Sequence, residues 1–494
     1  MRINDCFRRP VTGVPGRLIT LVDRVSHDHN ATFTLTGSTT QCLNMSSYNY
    51  LGFAQSVGPC AEAVEDTINK LGLSTSASRT EGGTSELHLR VEELIAQFVG
   101  KEAAMVFSMG FGTNASIFPS ICSKGSLIIS DELNHTSIRF GARLSGAVIK
   151  GFKHNDMADL ERLLRTEIAQ GQPRTHRPWK KILVVVEGLY SMEGTMCNLP
   201  ALVDLKKKYK FYLFVDEAHS IGALGPTGRG VCEYFGIDPS EVDVLMGTLT
   251  KSFGATGGYV SGPKEWIAKL RLHNAGSVYE ESMSPLVLQQ IWTSLRCIMG
   301  YEGGTEGAER LQRLAFNSRY LRLGLKRLGF IVYGHDDSPI IPLLLYNPAK
   351  MPAFSHEMLK RKIAVVIVGY PATPLVQSRY TARSSFVHLL TIGSVRFCVS
   401  AAHTKDDLDR LLRACDEVGD ILQLKFSSGI AGDTVAASNT GKSDALSDSE
   451  TLYEESSIPS FAPPSRERTM SGSFRKPRWD IEEVIRKGVI DTRA

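Results

Sequence analysis

The stretch "FYLFVDEAHS" (211–220) decides the fold. Five apolar or aromatic residues run together without alternation, then break abruptly into acid, histidine and serine. A strand buried on both faces has this unbroken apolar character, which belongs to parallel sheets covered by helices. Four similar runs lie around it: "AAMVFS" (103–108), "SLIIS" (126–130), "ILVVVEG" (182–188) and "VLMGTL" (244–249). Helical periodicity separates them at 156–169 and 199–209. Upstream, Leu87, Val91, Leu94, Ile95 and Phe98 form one apolar stripe that closes at Gly100. Strands alternating with helices predict an α/β fold built on a mostly parallel sheet.

Working outward, residues 1–50 alternate turn residues with short apolar runs and read as an N-terminal arm. Residues 51–325 carry the strand–helix alternation, including long helical patterns at 284–300 and 305–328. Residues 326–426 suggest a smaller α+β domain. From 427 to 494 the chain turns rich in Ser, Pro and Gly and poor in aromatics, so it cannot bury enough surface to order itself. Within that tail, "WDIEEVIRKGVIDTRA" has the pattern of a short amphipathic helix, although a solvated tail fits its composition better.

Bulk composition narrows the function classes. The 494 residues are 42% hydrophobic and 22% charged, with a formal net charge of +4. That balance gives no reason to expect a nucleic-acid partner. Nine cysteines lack any Cys-x-x-Cys or Cys/His ligand spacing, which predicts packed thiols in a reducing compartment and no metal. No apolar run reaches the roughly 18–20 residues of a membrane span, and the N-terminus lacks a signal-peptide core.

The polar residues that end the strands carry the chemistry, because ligands of such sheets gather outside the carboxyl ends of strands. "SMGFGTN" (108–114) turns from strand to helix, so N–H groups near Gly110 and Phe111 can face an anion. His135, Ser191, Asp216 and His219 follow strands, as do Thr248, Thr250 and Lys251. Taken singly, each has a plain structural reading as a helix cap or a satisfied polar residue. As a set they fit pyridoxal phosphate. A partly desolvated lysine can lose its proton and condense with the aldehyde, and the ring serves as an electron sink. Asp216 suits the ring nitrogen, His135 the ring face, and Gly110, Phe111, Thr248 and Thr250 the phosphate. The small residues around Lys251 in "GTLTKSFGATGGYV" (247–260) leave its side chain room to swing.

At this point a family resemblance enters. "NYLGF" (49–53), "DELNHTS" (131–137), "EGLYSMEG" (187–194), "VDEAHSIGALGPTGRG" (215–230) and "GTLTKSFGATGGY" (247–259) resemble, in this order, the motifs of the α-oxoamine synthases. These are pyridoxal-phosphate enzymes of the aspartate-aminotransferase fold. "RPVTGVPGRLITLVDRV", "GYPATPLVQSR" and "RFCVSAAHTKDDLD" resemble the family's serine-using, lysine-bearing subunit, and the likeness covers about residues 9–426. It implies decarboxylative condensation of L-serine with a long-chain acyl-CoA such as palmitoyl-CoA, giving 3-ketosphinganine at the entry to sphingolipid synthesis. The alternatives are a glycine-using family member with a short acyl-CoA, or a catalytically silent subunit.

The resemblance implies that Lys251 carries the cofactor and acts as base, with His135 and Asp216 in catalytic roles. It sets Ser191 and His219 near the ring hydroxyl and assigns the substrate carboxylate to Asn49 and Arg396. It further implies a heterodimer with a lysine-less homologous subunit at the cytosolic face of the endoplasmic reticulum membrane. Membrane attachment would come through that partner or through a segment ahead of Arg9.

Two stretches depart from the family pattern. Residues 380–395 interrupt the run into "RFCVSAAH"; a retained intron or mis-joined exon accounts for them better than a functional loop, and Arg379 becomes a second carboxylate candidate. In "SVYEESMSP" (277–285), Glu281 stands beside Glu280 where homodimers of the family place a phosphate-binding Thr. One carboxylate at ~4 Å from a phosphate charge costs on the order of 4 kcal/mol at an effective dielectric of about 20. This loop is therefore expected to serve no cofactor, with the partner's loop completing the site.

Overall fold

The computed structural model describes residues 4–347, 349–368 and 394–427. Arg379, residues 380–393 of the interrupting stretch and the Ser/Pro-rich segment from 428 onward lie outside the described residues.

Three strands open the chain: β1 (Val11–Thr12), β2 (Leu18–Val25) and β3 (Thr34–Asn44). The central sheet follows with β4 (Ala103–Phe107), β5 (Ser126–Asp131), β6 (Val148–Phe152), β7 (Lys181–Glu187), β8 (Tyr212–Asp216), β9 (Val244–Thr248) and β10 (Gly258–Gly262). Its order is β4-β10-β9-β8-β7-β5-β6. Every neighbouring pair is parallel except those of β10, which runs antiparallel to both β4 and β9. The five apolar runs read from the sequence are β4, β5, β7, β8 and β9. Their side chains divide between two hydrophobic layers, Leu213 and Val215 on one face and Phe214 with Val185 on the other. This two-sided burial explains the missing alternation.

The sequence patterning did not indicate β6 or β10. Strand β6 (VIKGF) lies at the sheet edge, where Val148, Lys150 and Phe152 alternate burial weakly. Strand β10 hides within the glycines behind Lys251. Those glycines clear room for backbone rather than for the lysine. A Cβ on Gly254 (φ +63°) would lie 2.6 Å from the Ala54 nitrogen, and one on Gly257 (φ +93°) 2.3 Å from the Phe107 carbonyl oxygen.

A smaller layer is built from β11 (Ile340–Leu344), β12 (Ile363–Ala364), β13 (Val366–Val368) and β14 (Ser394–Cys398). Strands β11, β14 and β13 form one sheet, while β12 pairs in parallel with β3. The arm is thus hydrogen-bonded to the C-terminal layer. Ser394 and Val395, the last residues of the interrupting stretch, pair with Leu344 and Leu343, so that end of it belongs to the strand that carries Arg396.

Helices Gly110–Ile121 and Thr136–Leu144 cross closely because Gly141 offers no side chain: a Cβ there would lie 2.3 Å from the Asn114 carbonyl oxygen and 2.8 Å from the Phe118 ring. Neither backbone can yield without moving the strand-to-helix turn at Gly110. Gly141→Ala should lower stability by about 1–3 kcal/mol, the usual cost of overpacking. Denaturant midpoints measure it, and an unchanged midpoint would refute this account of the crossing.

Candidate active site

Strand β8 ends at Asp216, which is 3% exposed. An ionised carboxylate at that depth needs donors. Asn114 Nδ2 donates to Oδ2 at 2.8 Å, and the Ala218 N–H donates to Oδ1 at 2.9 Å. The neighbouring strand places Glu187 in register with Asp216. Glu187 accepts the backbone N–H of His135. Burial, followed by the charge of Asp216, pushes its carboxyl well above the ordinary carboxylate range. Two acids therefore stand side by side, and the crowding disfavours a charge on Glu187.

His135 caps the helix Thr136–Leu144, its Nδ1 lying 2.8 Å from the Ser137 hydroxyl. Burial lowers its pKa, as does Lys251, while Asp216 opposes the shift. His219 Nδ1 contacts the Tyr50 hydroxyl at 2.8 Å and is held neutral by burial, with Lys251 and Arg396 adding to the effect.

Tyr48 is the hub of the second half of the site. Lys251 Nζ lies 5.7 Å from its ring centroid, the Arg396 guanidinium lies 4.7 Å from it, and His219 meets its edge at 5.2 Å. Lys251 remains partly open to solvent at the residue level, but its ammonium is enclosed by protein. Burial lowers its pKa from 10.5 to about 8, against the pull of Asp216 and Glu187 and with help from Arg396.

Arg396 is 6% exposed on β14 and donates from Nη1 to the Ser191 carbonyl at 3.2 Å. Its Nε has no partner among the described residues. A buried guanidinium N–H in that condition suits a carboxylate ligand. The arm comes to β14 through Cys398 N–H to the Met45 carbonyl (3.0 Å) and Ala401 N–H to the Tyr50 carbonyl (2.7 Å).

The anion cradle also assembles. A Cβ on Gly110 would lie 3.0 Å from Thr248 Cγ2, so the first turn of the helix Gly110–Ile121 sits directly on the end of β9. Thr250 donates to the Thr248 hydroxyl at 3.3 Å, and Phe111 presents its ring to the edge of His135 at 6.4 Å. Helix N–H groups beside hydroxyls fit a phosphate. The residues present thus match pyridoxal phosphate in each part: cradle, buried acid, imidazole and depressed lysine.

Asn49 stands apart. Its amide donates to the Pro15 carbonyl and accepts from the Ala54 N–H, both at 3.3 Å, so binding a substrate would mean exchanging one of these. The loop 277–285 lies against this chain's own strand-to-helix turn: Ser108 Oγ donates to the Glu281 carbonyl at 2.9 Å, and Glu280 Oε1 would lie 3.5 Å from a Cβ on Gly112. Tyr48, Asn114, Ser137 and Glu187 were not singled out from the sequence. Tyr48 precedes a quoted motif, Asn114 and Ser137 close two others and Glu187 opens one, but only three-dimensional register shows what they touch. Elsewhere Asp5, Cys6 and His356 bring ligand-type atoms within 4.8 Å of one another, a convergence that sequence spacing could not reveal.

With this geometry in place, the comparisons fall into line. The family model for aminotransferase class I and II matches residues 40–415. "Serine palmitoyltransferase 2" of Schizosaccharomyces pombe is 60% identical over 490 residues, covering 99% of this chain and 75% of the relative. The protein of the same name from Kluyveromyces lactis is 61% identical over 492 residues, covering 100% and 78%. The chain belongs to the serine palmitoyltransferases of the class I and II aminotransferase family.

A solved serine palmitoyltransferase of Sphingomonas wittichii, 29% identical with a TM-score of 0.69, covers 79% of this chain and 90% of its own. Another solved serine palmitoyltransferase, which carries pyridoxal phosphate as an internal aldimine, has a TM-score of 0.71 at 29% identity, covering 85% of this chain and 94% of its own. An 8-amino-7-oxononanoate synthase of Francisella tularensis, 22% identical with a TM-score of 0.60 and covering 76% and 97%, shares the fold.

The depressed Lys251 amine is directly testable. In the cofactor-free protein, its labelling by an amine-selective reagent should rise with pH through a midpoint near 8. Surface lysines should keep gaining toward their ordinary pKa of about 10.4. Peptide mapping reads each site, and an inflection for Lys251 in the surface range would contradict the burial described.

Proposed function

We infer that this chain is the catalytic, lysine-bearing subunit of a serine palmitoyltransferase. It condenses L-serine with a long-chain acyl-CoA, releasing CO₂ and CoA and forming 3-ketosphinganine at the first step of sphingolipid biosynthesis. The observation that carries this reading is a lysine amine with its pKa lowered to about 8, enclosed with a buried acid, a guanidinium whose Nε has no partner among the described residues, and an anion cradle. Pyridoxal phosphate, when bound, supplies the electron sink for the carbanion at serine Cα.

The chain's own residues do the rest. Gly110, Phe111 and Thr248, with Thr250, would hold the phosphate. Asp216 would face the ring nitrogen and favour a proton there, and Ser191 and His219 would border the ring hydroxyl. His135 would cover the ring face. Arg396, assisted by Asn49, fixes the serine carboxylate. Lys251, neutral in an appreciable fraction near physiological pH, takes the Cα proton.

Activity requires a homologous subunit that lacks the lysine. The support is Glu280 with Glu281 in the loop 277–285, where carboxylates would repel a phosphate presented by a second cofactor site. Such an assembly acts at the cytosolic face of the endoplasmic reticulum membrane. Among the described residues no helix is long and apolar enough to cross a membrane.

Co-expression with the lysine-less subunit should give serine-dependent CoA release from long-chain acyl-CoA. Lys251→Ala should lower it by about 10²–10⁴-fold or more, the usual contribution of a positioned base. Comparable turnover by Lys251→Ala would overturn the reading, as would a preference for glycine with short acyl-CoA. Full turnover and cofactor loading by this chain alone would overturn the partner requirement.

A further inference from the structure

Asn114 touches both halves of the acid–imidazole pair. It is 1% exposed, in the first turns of the helix Gly110–Ile121. One Nδ2 hydrogen goes to Asp216 Oδ2 at 2.8 Å and the other to Ser137 Oγ at 3.0 Å. The amide orientation is forced, because an ionised carboxylate only accepts and so must face the nitrogen. The Ser137 hydroxyl, accepting from Asn114, lies 2.8 Å from His135 Nδ1 with its own hydrogen available to donate there. The Ser137 backbone N–H points at the same nitrogen at 3.3 Å. Every donor in this chain runs outward from Asn114, and Asn114 Oδ1 has no partner among the described residues.

We propose that Asn114 is a positioning residue that locks Asp216 and His135 into one directed hydrogen-bond chain, keeping the acid an acceptor and the imidazole neutral with its proton on Nε2. If Nδ1 accepts two hydrogen bonds, a neutral ring must carry its hydrogen on Nε2. The groups facing His135 from neighbouring elements are Asp216, which favours its protonation, and Lys251, which opposes it. Glu187 holds its backbone N–H and Phe111 its ring edge. Coulombic influences therefore pull both ways, and the hydrogen-bond chain decides tautomer and orientation. The role in turnover rests on the function proposed above; the tautomer does not.

The test uses the full chain, first stripped of cofactor, with ¹⁵N-histidine NMR and the His135 signals assigned by their loss in His135→Gln. The wild type should show the Nε2–H tautomer, titrating below the ordinary range. Ser137→Ala should mix the tautomers and move the titration up by about half to one pH unit, the worth of a hydrogen bond to the neutral ring. Ser137→Thr should restore the wild-type signals. Asn114→Ala should move His135 in the same direction. It alone should also alter the pH dependence of the visible band of cofactor-loaded protein, because it alone loosens Asp216. His135 signals unchanged in folded Ser137→Ala would overturn the proposal, even if Asn114→Ala failed to fold. A wild type that binds no cofactor would defeat the functional reading while leaving the tautomer measurement intact.

Discussion

An acid ionised inside a sheet imposes conditions on everything near it. Asp216 lies at the end of the most central strand, where water cannot solvate it, so the protein must supply N–H groups at fixed positions. One comes from its own turn, at Ala218. The other comes from a helix that starts on a different strand, and that helix must lie close enough for a short Asn side chain to reach. Its close neighbour, Thr136–Leu144, then packs without a side chain at Gly141. The same approach seats Gly110 on Thr248, so the anion cradle is a by-product of satisfying the acid.

The basic half of the site follows a different logic. Lys251 and Arg396 share the faces and edges of Tyr48 instead of pairing with carboxylates of their own. Burial makes protonating the amine costly, and the guanidinium on the same aromatic ring adds to that cost. The guanidinium keeps its charge because its intrinsic pKa is far higher, so the amine yields. An amine of lowered pKa and a guanidinium that keeps its charge thus arise from a single arrangement.

How much of this was legible depended on whether the signal was local. Strand β8 and its parallel neighbours announced themselves because burial on both faces leaves an unbroken apolar run. The stripe from Leu87 to Phe98 did so because its apolar residues keep one helical period that Gly100 closes. Strand β10 was hidden because glycine carries no side-chain pattern, and its role is to let backbones approach. Lys251, Asp216, His135 and Arg396 were found by their places in motifs. Tyr48, Asn114 and Glu187 act across elements: Glu187 matters because register sets it beside Asp216, and Asn114 because two helices cross at a glycine. Neither relation has a length scale visible along the chain. Asn49, conspicuous in its motif, proves to be tied to backbone at both ends of its amide.

The pairing of β3 with β12 has a consequence for biosynthesis. Leu43 and Asn44 emerge from the ribosome early, whereas Ile363 and Ala364 follow only after most of the described chain has been made. Until then the arm exposes an open strand edge, a template for wrong partners that nascent chains commonly hand to chaperones. The central sheet, by contrast, is complete once β10 is out. Assembly is therefore expected to proceed in two acts, with Arg396 on β14 arriving last, after Gly110 has already met Thr248.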